Sequence, residues 1–224
     1  MKILLPAFLL AIALEAQVAP RMPFIQATGT ASISIQPDTA QVNIAVTTQA
    51  ATAQQASSQN ATQTSAVIAA LQQLLGPTAV IKTLSYSVSP NYTYPQNAPP
   101  NLVGFTVTNS IQVTVSDLSS VGKVVDTAVS AGATNIQGLN FTLKDDTAVR
   151  QQALSMAAGH AMNDANAIAS GLSVHLGAVL SAVEGTSVTP VLAPGVAGTA
   201  ATTPVQPGNL TIQATVTVEM QVTQ

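Results

Sequence analysis

Few side chains in this 224-residue sequence are equipped for chemistry, and their spacing limits what they could do. There are two histidines, His160 and His175, and no cysteine, which excludes cysteine nucleophiles and thiolate metal sites. Asp164 follows His160 by four residues, so the two share a helical face. Two ligands without a third do not make a metal site, and a surface pair or a hydrogen-bonded histidine explains them as well. Ser120-Val121-Gly122-Lys123 has the Ser-x-x-Lys spacing of certain acyl-enzymes. Its companion motifs are absent, and in a serine-rich chain Lys123 reads as a solvated helix position. Asp145 and Asp146 form a carboxylate pair, yet adjacent acids at a helix start favour the positive end of the helix dipole. Asp146 is also at ion-pair spacing from Arg150. The sequence has no glycine-rich phosphate loop and no nucleophile elbow. The expectation is therefore a non-enzyme with no catalytic, cofactor-binding or metal-binding residues.

The scarce aromatic residues are the better candidates for contact. Tyr86, Tyr92 and Tyr94 flank or occupy a proline-rich stretch from Pro90 to Pro100, and Phe105 lies just beyond it. Tyr86 and Phe105 fall on the inward phase of their strands and are expected in the core. Tyr92 and Tyr94 are expected outside, either at a protein interface, where tyrosines concentrate, or beside a sugar or peptide cleft.

The elements that must position these residues are legible from hydrophobic period. Ala31, Ile33 and Ile35 alternate with polar residues, as do Val42, Ile44 and Val46, and Gln36-Pro37-Asp38 lies between them. The two runs read as a hairpin. A helix follows, opened by Thr52 with Gln55 in capping-box spacing, striped by Val67, Leu71 and Leu74, and closed by Gly76-Pro77. Its polar front half, Gln54 to Ser65, reads as exposed. Leu84, Tyr86 and Val88 begin a further strand, and Val103 to Val115 another, with Asn109 interrupting the inward face. Asp117 is placed to cap a second helix ending at Gly132, and Leu139, Phe141 and Leu143 form the next strand. A third helix starts near Asp145 or Asp146 and ends at Gly171-Leu172, read as a Schellman cap. Within it Ala153, Ala157, Ala161, Ala165 and Ala169 recur every four residues, a row that permits close approach. Val179 to Val183 suggests a strand, residues 186–208 a flexible uncharged loop, and Leu210 to Val222 alternates without a miss. The order ββαββαβαββ lacks regular βαβ alternation, which gives an α+β class with mainly antiparallel sheet packed with three helices.

At the amino terminus Lys2 precedes an apolar run from Ile3 to Leu14, then Ala16 and Ala19, the order of a secretory leader. Residues 1–19 are read as that leader, cleaved after Ala16 or Ala19. The run is short for a bilayer span, and no later run is longer, so no transmembrane helix is expected in the mature chain. Charged residues make up 7% of the sequence, with net charge −3. No basic cluster exists to neutralise phosphates, which argues against nucleic acid and against anionic lipid. A surface of Ser, Thr, Gln and Asn with little charge opposes self-association weakly.

The shared order of several short motifs resembles the SIMPL-domain family. They are Gly29, Pro37-Asp38, the run Thr83 to Tyr92, Asn109, Asp117-Leu118, Gly132 to Ile136, Phe141 to Asp145, Gly171 and Leu176-Gly177. The resemblance runs from about Ala27 to the C-terminus, one domain over 27–224. It implies an exported protein, periplasmic or associated with the outer membrane, that forms homo-oligomers with a scaffold, channel-like or stress-related role. It carries over no catalytic residue, because the family has no accepted catalytic motif. The long uncharged loop and the low charge depart from relatives.

Two functions follow as expectations. In the first, copies assemble through the Leu210–Val222 strand (Leu210, Ile212, Val216 and Val218), the alanine row and the polar helix, with a further envelope protein as a conceivable partner. The alternative is a periplasmic binding module that takes a small ligand, glycan or peptide at Tyr92 and Tyr94.

Overall fold

The computed structural model describes residues 22–190, 203 and 205–223, so the leader proposed for residues 1–19 lies outside the described residues. Seven strands and three helices occur in the expected order: β1 (Phe24–Ile35), β2 (Thr39–Ala50), α1 (Ala53–Leu75), β3 (Val80–Thr93), β4 (Asn101–Val115), α2 (Val121–Ser130), β5 (Asn135–Thr142), α3 (Thr147–Gly171), β6 (His175–Pro190) and β7 (Leu210–Thr223). They form two antiparallel sheets, β1-β7-β6 and β3-β4-β2-β5. The class is α+β.

Each sheet has its own core. In the first lobe α3 covers β1 and β7, and all five alanines of its row are buried. Opposite them lie Ala27, Ala31 and Ala214, so small residues face small residues. Gly29 on β1 marks the closest approach: a Cβ there would overlap the carbonyl oxygen of Ala157 and the amide nitrogen of Ala161. In the second lobe α1 and α2 cover β2 and β4 with branched side chains, among them Val42, Ile44, Val67, Leu71, Ile111 and Val124.

The hairpin expected from β1 and β2 does not form. β1 pairs along its whole length with β7, from Phe24↔Gln221 to Ile35↔Leu210, while β2 passes into the other sheet between β4 and β5. Asp38 fixes the crossing instead of closing a hairpin: its N–H donates to the Thr142 carbonyl and its Oδ1 accepts from the Lys144 N–H at 2.7 Å. Side-chain size accompanies the sorting, because the buried face of β1 suits the alanine row and that of β2 suits Val and Leu. β6 is longer than the run Val179–Val183. It reaches Pro190, so residues 186–190 are strand where a loop is expected, paired with β7 throughout.

Most of the polar front half of α1 is exposed as expected, Gln54, Gln55, Ser58, Gln59, Thr62, Gln63 and Ser65 among it, but one face of it is docked. Ala56, Asn60, Thr64, Val67 and Leu71 form one continuous buried stripe. Asn60 Nδ2 donates to the carbonyls of Val46 (2.8 Å) and Val107 (3.3 Å), and Thr64 donates to Asn60 Oδ1. Thr48 donates to the Ala56 carbonyl. Partnered this way, buried polar groups avoid the cost of unmade hydrogen bonds.

The caps hold with local differences. Thr52 accepts from the Gln55 N–H. Asp117 caps a single 3-10 turn, Leu118–Ser120, that leads into α2. At the end of α3 the left-handed residue is Ser173, φ 55°, not Gly171, and the Val174 N–H closes onto the Ala169 carbonyl.

Candidate functional site

The residues with chemical potential are spread over the surface and occupied locally. His160 Nδ1 lies 2.7 Å from the Thr30 carbonyl, tying α3 to β1. His175 opens β6, far along the chain from a second ligand, and among the described residues no group of three metal-capable side chains gathers. Ser120 Oγ donates to the Asp117 carbonyl at 2.7 Å, a turn contact. Asp146 forms an ion pair with Arg150, whose other nitrogen donates to Thr186 on β6 at 2.7 Å. Asp145 accepts from Thr147, and the Thr147 hydroxyl and then its N–H hold the Asp145 carboxyl below its ordinary pKa.

Among the described residues the second lobe carries two larger clefts and a smaller one beside Ala70, Asp126 and Ser130. One of the larger two, of about 590 Å3, lies between the end of β2 and α1 and is walled by hydroxyls and amides such as Thr47, Gln49, Ser58 and Gln63. The other, of about 480 Å3, lies where α1, β3 and β4 end and includes Thr39, Leu75, Asp117, Ser120 and Lys144. Motifs from separate segments (Pro37-Asp38, Asp117-Leu118, Phe141 to Asp145) thus converge around one end of the sheet. Their acids are engaged there in backbone hydrogen bonds, Asp38 with Lys144 and Asp117 with Ser119.

The feature that departs most from a closed globule is β3. Among the described residues it pairs with β4 alone and forms one border of its sheet. Val80, Leu84, Tyr86, Val88 and Tyr92 on this strand are exposed. α1 lies over β4 and β2 and barely reaches β3, which leaves that strand open on both faces. The placement of Tyr86 corrects the expectation that it is core: it is 53% exposed, because the helical layer ends one strand short. Phe105, on β4 and nearer the helix, is partly buried. Tyr92 ends up opposite Leu102 at the tip of the β3–β4 arm, and Tyr94 just past it is 76% exposed. Neither tyrosine lines the two clefts above.

The first sheet repeats the pattern. α3 packs on β1 and β7 and touches β6 only lightly, so Val179, Leu180, Val183 and Val188 on β6 are exposed. β7, expected as a contact strand, is instead central and paired on both sides. Leu210, Ile212, Val216 and Val218 are buried beneath α3 or within the sheet, and the alanine row is buried with them, so none of these offers a surface to a partner. The unbroken alternation of β7 signals a half-buried strand, which central and border positions share. Val179 to Val183 is strand as expected, and what the pattern does not show is that these residues lie uncovered.

Comparisons with known proteins agree with the resemblance. The family model SIMPL, described as a protein of unknown function (DUF541), matches residues 25–220. The 26 kDa periplasmic immunogenic protein of Brucella melitensis is 28% identical over 184 residues, covering 80% of this chain and 72% of that protein. The uncharacterized protein YggE of Escherichia coli K12 is 26% identical over 170 residues, covering 76% of this chain and 69% of that protein. YggE of Edwardsiella ictaluri is 26% identical over 172 residues, with coverages of 77% and 72%. With the family match spanning most of its length, the chain belongs to the SIMPL family.

Proposed function

We propose that this is an exported, non-catalytic protein of the bacterial envelope that works by assembling with copies of itself, as a scaffold or channel-like particle. Export is supported by the leader pattern of residues 1–19 and by the periplasmic name of the Brucella relative. Among the described residues no helix is long and apolar enough to cross a membrane.

One observation carries the assembly reading: β3, a 14-residue border strand with five exposed large apolar side chains. An unpaired, apolar strand edge invites another chain, and monomeric proteins normally blunt or cover it. Among the described residues β3 is barely reached by a helix, and it carries one charge, Lys82. Light scattering behind a sizing column, on the leaderless chain at micromolar concentration, tests the reading. The expected mass is many times that of one chain, and a single-chain mass throughout that range overturns it.

A further inference from the structure

The four sheet borders are not alike. β1 and β5 carry polar outer residues, with Phe24 the one large exposed apolar side chain between them. β3 and β6 hold nine such side chains between them, five and four. One belongs to each sheet, and each is touched only lightly by the helix that packs on its sheet. Their lengths match, 14 and 16 residues. Their charges are opposite: Lys82 is the only charged residue on β3, and Glu184 is the only carboxylate on β6.

We infer that β3 of one copy lies along β6 of the next, with Lys82 facing Glu184 across the contact. This inference rests on the assembling reading and names the surfaces that meet. The two surfaces differ, so the contact is heterologous, and repeating it either closes a ring or propagates a filament. An isologous contact of β3 with β3 leaves Lys82 without a carboxylate and the apolar border of β6 in water. The heterologous contact covers both borders with one interface and pairs the two charges. Bulges in β3 at Thr83–Ser85 and in β6 between Leu176 and Ser181 interrupt a straight ladder, and Pro90 has no N–H to donate. The apolar side chains therefore hold the contact, with backbone pairing confined to short runs.

Two blocked variants of the leaderless chain test this. One carries Leu84→Lys with Val88→Lys on β3, and the other Val179→Lys with Val183→Lys on β6. All four positions are exposed, so the fold is expected to persist, checked by circular dichroism and thermal melting. Each variant alone is expected to run as a single chain, because each keeps only one half of the contact. Mixed in equal amounts they are expected to form a one-to-one heterodimer, since one intact β3 and one intact β6 remain. Either variant dimerising alone, or two variants that fail to combine although the unsubstituted chain assembles, overturns the β3–β6 contact and leaves assembly itself standing. An unsubstituted chain that never exceeds one chain in mass overturns both readings. As a check on the charges, Lys82→Glu and Glu184→Lys are each expected to weaken assembly at least tenfold at low salt, with the double exchange restoring most of it. Equal loss in single and double variants contradicts the pairing.

Discussion

The two lobes follow one plan, an antiparallel sheet under a helical layer, but solve its packing in opposite ways. The second lobe fills its interior with Val, Ile and Leu and adds a hydrogen-bonded seam at Asn60. The first lobe removes side-chain bulk, so that α3 lies almost backbone to backbone on β1 at Gly29. One core is stabilised by the volume that fills it, and the other by the closeness that missing volume permits. Substitutions should therefore act in opposite senses: loss of atoms is costly in the second lobe, and gain of atoms in the first. Where the lobes agree is in leaving one border strand uncovered.

The largest expected effect is in the filled core. Leu71→Ala, fully buried in α1, should cost about 4 kcal/mol through lost burial and the cavity left behind. Chemical denaturation measures this, and a cost below about 1 kcal/mol would mean that this core is loosely packed. In the close-approach core the matching experiment adds one methyl group. Gly29→Ala should cost about 3 kcal/mol, because its neighbours are helix backbone and cannot rotate away. A neutral result there would remove the contrast between the lobes. Asn60→Ala tests the seam: it leaves the carbonyls of Val46 and Val107 without their side-chain donor and should cost about 2 kcal/mol.

Smaller effects sharpen the boundary between core and contact surface. Leu84→Ser with Val88→Ser should change the stability of the isolated chain by under about 1 kcal/mol, since both residues are already exposed. A large loss would assign them to the core of the single chain. The smallest effect concerns Asp145. Its folded-state pKa is depressed by the Thr147 hydroxyl and N–H, so its contribution is present above the unfolded-state pKa and fades as pH falls through the folded one. A carboxyl-resonance titration should place Asp145 below an ordinary aspartate, and Thr147→Ala should move it back up. A midpoint unchanged by that substitution contradicts the assignment.

What the sequence made legible was local. Period-two runs, the Thr52 cap and the four-residue alanine row all report on neighbours along the chain, and all have counterparts in the fold. Pairing partners were not legible, because β1 and β7 meet across nearly the whole chain length while β1 and β2 are adjacent in sequence and part. Asn60 and Thr64 were misread as surface because a polar side chain shows no sign of burial until its carbonyl partners are known. The alternation of Leu84, Tyr86 and Val88 marks a strand face correctly, but whether a helix covers that face depends on where α1 lies. For that reason Tyr86 was expected inside, while Leu210, Ile212, Val216 and Val218 were expected to be available to a partner.

Amide hydrogen exchange, read strand by strand at low and high protein concentration, tests the contact surfaces most directly. Border amides in the uninterrupted runs of β3 and β6 should exchange freely in the dilute single chain and become protected together on concentration, while those of β1 stay fast at both. If β3 and β6 remain as fast as β1 while the protein is assembled, copies meet elsewhere and the account of the two open borders is wrong.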